Sequence, residues 1–315
     1  MSQLLTRTLA AFAAALFVAA LLAGGGGAGV GATIEQTDYA PLYSPDGTKI
    51  AFRRIPTGFY GGAETLELWV MAANGRDQHL VTPLSQEDGA YEENAAWAPN
   101  SHALVFQQRG DLGSINSGGA IGIIDVDGSN AHTLGPGFLD NSSAPVSGDG
   151  WITFVAPLTT SVGITGPSAI ELMRLDGSDR HVVLRSDDPR FAPAPDNGFY
   201  NATFTPGGKI GFVCRQAIYT VGRDGSNLTF VAGGKPTAVP GYGTIGPSFS
   251  PDGRFLAWVS ASVTGVQENA LYIHTDTMEY DAFGGALPGF GRLSWSPTDD
   301  VVVVGDRTRY AVVYA

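Results

Sequence analysis

Tyr43-Ser44-Pro45-Asp46-Gly47 is the first of six related stretches whose recurrence decides the fold. The next three are Trp97-Ala98-Pro99-Asn100-Ser101, Val146-Ser147-Gly148-Asp149-Gly150 and Phe204-Thr205-Pro206-Gly207-Gly208. Phe249-Ser250-Pro251-Asp252-Gly253 and Trp295-Ser296-Pro297-Thr298-Asp299 complete the series. Their third positions fall at residues 45, 99, 148, 206, 251 and 297, so the units are equivalent and the loops between them differ in length. In each, an apolar residue ends a strand and the chain then turns, with Pro fixing φ and Gly accepting φ > 0. A strand follows, as in Lys49-Ile50-Ala51-Phe52 and Arg254-Phe255-Leu256-Ala257-Trp258-Val259. The third and sixth units lack Pro or Gly in this turn but keep the flanking pattern.

A second turn recurs downstream at Asn74-Gly75, Asp127-Gly128, Asp176-Gly177 and Asp224-Gly225. Strands such as Leu68-Trp69-Val70-Met71 and Ile121-Gly122-Ile123-Ile124 precede it. Asn-Gly and Asp-Gly between such runs are strong hairpin signals. Each unit therefore holds four short strands, A to D, with tight A–B and C–D turns. Six such units predict an all-β, six-bladed β-propeller, whose closure protects the sheet edges; an open array of the same units is the alternative. The sixth unit runs out early, with A at Arg292 to Ser296, B at Val301 to Val304 and C at Arg309 to Ala315. Thr33 to Gln36, immediately before the first A strand, are expected to supply the missing D strand beside Tyr310 to Tyr314.

The pairing of Trp/Phe-Ser-Pro-Asp-Gly with a later Asp-Gly-Ser-Asn hairpin resembles the TolB-like, WD40-like propeller repeat. The likeness covers roughly residues 38–315 and recurs in register. It implies a binding scaffold that docks a polypeptide or an envelope component. With residues 1–32 removed, the repeats are expected to occupy the mature chain, leaving no stretch for the separate N-terminal domain of TolB itself.

The N-terminal region reads as a secretory signal. Arg7 supplies a positive charge, Leu9 to Ala23 is apolar, and a small-residue segment ends at Val30-Gly31-Ala32. Cleavage after Ala32 would leave a single domain of residues 33–315, periplasmic or secreted, and no cysteine follows the apolar run to carry a lipid. The rival is an uncleaved membrane anchor, since Leu4 to Ala23 nearly spans a bilayer. The net charge of −12 and pI near 4.7 argue against nucleic acid as a partner. A monomer is expected.

The one cysteine, Cys214, lies in the apolar run Ile210 to Cys214 and reads as a small buried hydrophobe; it excludes an intrachain disulfide and a Cys-based zinc site. His79, His132 and His181 each stand four residues past a hairpin glycine, where the fourth unit has Thr229. They would therefore be spread over the outer D strands of three blades, unable to share a metal, and His102 and His274 are isolated. Asp125-Val126-Asp127-Gly128-Ser129-Asn130 opens like a calcium loop but lacks the distal ligands and reads as a hairpin. No serine-nucleophile elbow or phosphate loop is present, and no motif calls for a cofactor. Asn141, Asn201 and Asn227 match glycosylation acceptors only formally. Trp97, Phe204, Phe249 and Trp295 are explained by packing between blades.

Topology puts the tight A–B and C–D turns on one side of the disc and the long B–C and D–A connections on the other. The B–C loops read as Arg53 to Thr65, Gln108 to Gly118, Ala156 to Pro167 and Ser260 to Asn269. Binding residues concentrate on long loops carried by a rigid scaffold. The D–A loop tips would bring Asp38, Tyr39, Glu92, Glu93, Asn94, Asp140, Asn141, Asp196, Asn197, Tyr200, Asn201, Tyr242, Phe290 and Arg292 toward the central channel mouth. Such a collar suits a peptide, a sugar or a cation. The alternative to a binding scaffold is a propeller hydrolase or polysaccharide lyase using these carboxylates.

Overall fold

The computed structural model describes residues 37–55, 67–81, 91–109, 119–139, 144–158, 167–191, 198–214, 217–233, 244–261, 269–274, 279–281, 292–295, 301–305 and 310–314. The signal segment expected at residues 1–32 and the closing strand expected at Thr33 to Gln36 lie outside them. The described residues form six antiparallel sheets and one 3-10 turn at Pro189–Phe191.

The first sheet is β1 (Thr37–Tyr43), β2 (Lys49–Ile55), β3 (Glu67–Ala72) and β4 (His79–Leu80), hydrogen-bonded in that order. The second is β5 (Tyr91–Trp97), β6 (Ala103–Arg109), β7 (Ala120–Asp125) and β8 (His132–Pro136). The third comprises β9 (Trp151–Pro157), β10 (Ser168–Arg174) and β11 (His181–Arg185). The fourth is β12 (Tyr200–Phe204), β13 (Ile210–Cys214), β14 (Ala217–Val221) and β15 (Thr229–Gly233). The fifth is β16 (Thr244–Phe249), β17 (Leu256–Ala261), β18 (Asn269–His274) and β19 (Glu279–Asp281); the sixth is β20 (Arg292–Trp295), β21 (Val301–Gly305) and β22 (Tyr310–Tyr314).

The two repeated motifs are repeated turns. In the A–B turn the Gly47 N–H donates to Ser44 O, and the Ser44 N–H donates to Lys49 O. The same pair recurs around Ala98, Ser147, Thr205 and Ser250. Where Ser and Asp are both present, the buried Ser hydroxyl donates to the Asp carboxylate at 2.6 Å (Ser44–Asp46, Ser147–Asp149) or 2.8 Å (Ser250–Asp252). It also accepts the N–H that opens the next strand, from Lys49, Trp151 or Phe255. In the C–D turn the Gly75, Gly128, Gly177 and Gly225 amides donate to Ala72, Asp125, Arg174 and Gly222. The calcium-like stretch Asp125–Asn130 is one of these hairpins, with Asp127 accepting the Ser129 N–H and hydroxyl.

The third unit departs from the expected four strands. Its A segment forms two isolated bridges instead: Val146 pairs with Ile152, and Phe138, from the preceding connection, pairs with Val155. The third motif has Gly148 where the others have Pro; its turn closes from Ser147 to Trp151, one residue sooner than from Ser44 to Lys49, a spacing the fourth unit shares at Thr205 to Lys209 while keeping its A strand. The B strands also run further than the sequence suggests: Arg53–Ile55, Gln108–Arg109, Ala156–Pro157 and Ser260–Ala261 are strand, not loop.

Packing between sheets follows one rule. Strand B carries an aliphatic residue, a spacer and an aromatic residue: Ile50/Phe52, Leu104/Phe106, Ile152/Phe154, Ile210/Phe212 and Leu256/Trp258. Side chains two apart share a face. Leu104 and Phe106 pack with Ala51 and Val70 of the first sheet, and Ile152 and Phe154 pack with Val105 and Ile121 of the second. Ile210 and Phe212 pack with Ile170 and Leu172 of the third, and Leu256 and Trp258 with Val213 and Ile218 of the fourth. In each case the pair faces the preceding sheet. Cys214 is buried within the fourth sheet's core, as its apolar setting indicates.

First strands adjoin one another: the Trp97 indole donates to Leu42 O and the Trp295 indole to Ser248 O, both at 2.9 Å. Fourth strands are exposed along much of their length. Strand A is therefore central and strand D lies on the rim.

The hairpin glycines Gly128, Gly177 and Gly225 also approach the rim segment of the sheet before them. A Cβ at Gly128, Gly177 or Gly225 would stand 3.1, 3.6 or 2.6 Å from the carbonyl oxygen of Val81, Leu134 or Val183. All three glycines have positive φ. Gly177→Ala is expected to cost about 1–2 kcal/mol, the left-handed strain alone. Gly225→Ala should cost about 1–3 kcal/mol more, because a backbone carbonyl must move. Urea denaturation of the two variants checks this ranking; equal losses would refute the close-packing argument.

Candidate functional site

On the turn side the polar groups are engaged within the turns. The Asp46 carboxylate, with the Ser44 hydroxyl and the Thr48 amide as donors, sits well below the usual carboxylate range. Ser129, Ser178 and Ser226 hold Asp127, Asp176 and Asp224 below it in the same way. Asp149 is lowered to about 2, first by Arg223 and then by the Ser147 hydroxyl. Asp252 is lowered to about 2, first by the Arg254 amide and then by its side chain. The Arg223 guanidinium reaches from the fourth sheet to Asp149 of the third at 2.8 Å and also donates to Gly208 O. Carboxylates held this far down stay ionised and are weak bases near neutral pH.

The histidines are engaged too. His79, His132 and His181 open rim strands β4, β8 and β11, and each places Nδ1 against the carbonyl of the residue two before it. The Thr229 hydroxyl makes the same contact to Asn227 O. Among the described residues no three His, Cys, Asp or Glu side chains are grouped to hold a metal.

The opposite side, where A strands begin and B strands end, is where the sequence places the candidate site. Asp38, Tyr39, Glu92, Glu93, Asn94, Tyr200, Asn201 and Arg292 all fall there, but in the inner strands β1, β5, β12 and β20 rather than on loop tips. Asp38 pairs with Arg54 and Tyr39 with Arg53; Glu92 pairs with Gln108 and Glu93 with Gln107. Tyr200 pairs with Val213 and Arg292 with Gly305. Asp140, Asn141, Asp196, Asn197, Tyr242 and Phe290 lie outside the described residues.

Asn94 and Asn201 are not solvated collar residues. Both are buried, at 4% and 8% exposure, and both have φ of 55°. Each stands three residues before the motif aromatic, where the pairing of strand A slips by one residue. The first and fifth sheets slip at the equivalent Ala40-Pro41 and Gly246-Pro247. A bulge re-aims an inner strand, and Asn tolerates the left-handed conformation that one bulge residue adopts. The Asn94 side-chain oxygen accepts a hydrogen bond from Arg53 Nη2 at 3.2 Å, joining the first and second sheets at this mouth.

Sequence reasoning overlooked Arg53, Arg54 and Gln107. Arg54 is buried, its guanidinium 4.2 Å from the Trp69 ring centroid and 5.1 Å from that of Phe52, with Nη2 donating to Gln78. The buried Gln107 carboxamide accepts the Leu139 N–H and ties down the connection leaving the second sheet. The signal available was Arg-Arg at the end of a strand otherwise apolar in alternation.

No protein-family model and no curated protein matches the chain. Solved structures do. TolB from Acinetobacter baumannii superimposes with a TM-score of 0.54 at 16% identity, over 85% of this chain and 57% of that one. A protein described as TolB from Agrobacterium tumefaciens gives 0.53 at 16%, over 80% and 83% of the two chains. The chain has the TolB-like propeller fold. An oligogalacturonate lyase in complex with manganese shares the architecture, with a TM-score of 0.54 at 14% identity over 86% of this chain and 72% of that one. At these identities the likeness is one of fold, shared by proteins named TolB and by an oligogalacturonate lyase.

Acid should weaken the turn side. Asp149 ionises at a lower pH when folded than when unfolded, so its contribution is full above about pH 4 and is lost as the pH falls toward about 2. Urea midpoints should drop over that interval, and less steeply in Asp149→Asn. An equally steep fall in the variant would remove the Arg223–Asp149 pair from the explanation.

Proposed function

We propose that the protein is an exported, periplasmic or secreted six-bladed propeller that docks a polypeptide or an envelope component on its long-loop side. The observation that supports this most is the asymmetry of the two sides. On the turn side the motif aspartates and rim histidines are bonded within the turns or across neighbouring sheets. The other side carries the long connections and the inner-strand residues Asp38, Tyr39, Glu92, Glu93, Tyr200 and Arg292. The rival reading is a hydrolase or polysaccharide lyase working through mouth carboxylates, and the shared fold with a manganese-bound oligogalacturonate lyase is its support.

Capture from envelope extracts at neutral pH separates the sides. Replacing Glu92, Glu93 and Asp140 together with Ala should abolish capture without changing the melting temperature. Replacing His79, His132 and His181 should leave capture intact. Loss in the histidine variant alone would reverse the assignment of faces. Turnover of oligogalacturonate or peptide substrates, abolished by the same carboxylate changes, would favour the enzyme.

Ring closure belongs to the same proposal. Ile50, Phe52 and Met71 are at most 3% exposed on the face of the first sheet turned away from the second. In every other described case that strand-B pair faces the preceding sheet, and for the first sheet the preceding place is the sixth. The sixth sheet ends at β22, which Thr33 to Gln36 would cover. The exported protein should have an intact mass beginning at Thr33, and deleting Thr33 to Thr37 should lower the melting temperature by several degrees. Unchanged melting would argue for a ring closed another way.

A further inference from the structure

The rim strands of the first four sheets open on one repeated contact. The residue four past the hairpin glycine caps the carbonyl of a left-handed residue: His79 caps Asp77, His132 caps Asn130, His181 caps Asp179 and Thr229 caps Asn227. The distances are 3.0, 2.7, 2.7 and 3.0 Å. His79 makes a second contact. Its Nε2 lies 2.8 Å from Val126 O, in the C–D hairpin of the second sheet, while its Nδ1 faces Asp77 O. Among the described residues His132 and His181 make only the first hydrogen bond, and the His181 ring also meets Trp151 edge to face.

A carbonyl oxygen only accepts, so a ring nitrogen bonded to one must carry a hydrogen. Neutral imidazole has one N–H and imidazolium has two. We infer that His79 is a proton-operated clasp between the first two sheets: uptake of one proton from solvent supplies the second donor and fastens rim strand β4 to the neighbouring hairpin. The clasp lies at the joint where Gly128 approaches Val81 O, so closely that a Cβ there would stand 3.1 Å from that oxygen.

The charged groups around it are Arg76 and Asp77 on its own turn and Asp125 and Asp127 on the facing hairpin. His102, in the adjoining A–B turn, takes the Val126 N–H on its backbone carbonyl. Strand β3, paired with β4 through Val70 and Trp69, brings no ionisable side chain to His79. The Asp127 carboxylate, held low by the Ser129 hydroxyl, stays negative throughout the imidazole range and attracts the imidazolium. Both acceptors are satisfied at once only by a ring that carries two N–H groups, so the clasp is fastened on the acid side and open where the ring is neutral.

The fourth sheet suggests the test. His79→Thr copies Thr229, keeping the cap on Asp77 O and removing the donor to Val126 O; His132→Thr removes a histidine that has no second acceptor. Urea unfolding at about pH 5.5 and 7.5 compares both with the parent protein. The parent should exceed His79→Thr in folding equilibrium constant by roughly threefold to tenfold more at the lower pH, and His132→Thr should show no such widening. Amide exchange of residues 125–130 in the folded protein, corrected for intrinsic rates, should be faster in His79→Thr than in the parent at the lower pH alone. A gap of the same size at both pH values, or an equal widening in His132→Thr, would overturn the clasp.

Discussion

A single four-stranded sheet with two apolar faces cannot bury both by itself, and this architecture depends on how that problem is answered. The strand-B pair, aliphatic then aromatic, is covered by the sheet before it, and the residues between and beside the pair receive the next sheet. Leu104 and Phe106 need Ala51 and Val70, just as Ile152 and Phe154 need Val105 and Ile121. No unit is complete alone. Stability of this kind accumulates by neighbour contacts, and the first sheet's Ile50 and Phe52 are buried like their counterparts.

That demand accounts for much of the polar chemistry as well. Sheets packed this closely bring hairpins onto neighbouring rim strands, where a side chain at Gly225 would meet the Val183 carbonyl. Backbone groups freed at the turns are met locally by Asp, Ser, His and Thr side chains, and the Arg223–Asp149 pair spans two sheets. Residues that in isolation suggest acid–base or metal chemistry are thus parts of the joints. On the opposite side the connections between strands differ widely in length from unit to unit.

Likeness to TolB and to an oligogalacturonate lyase at the same level shows how little the scaffold itself commits to. The inner strands supply a common frame, bulged at one position three residues before the motif aromatic. In the second and fourth sheets Asn occupies that position, and in the first and fifth Ala-Pro or Gly-Pro does.

The all-β class, the four-strand unit, both turn types and the order of strands were legible in the sequence. Pro-Asp-Gly and Asp-Gly impose their geometry locally, and alternation over five residues needs no distant partner. The placement of the histidines on rim strands was legible for the same reason, since a fixed offset from a turn fixes the strand position. Of the candidate site's residues, the eight that are described lie in inner strands, where the sequence suggests loops. Asn94 and Asn201 proved to be buried bulge residues, because a slip in strand pairing depends on the partner strand and leaves no periodic mark. The broken A strand of the third unit, the Arg53–Asn94 bond and the second acceptor of His79 were likewise decided by tertiary structure. Each joins residues more than forty positions apart or depends on a neighbouring sheet, and contacts of that range are set by how sheets pack, not by the local chain.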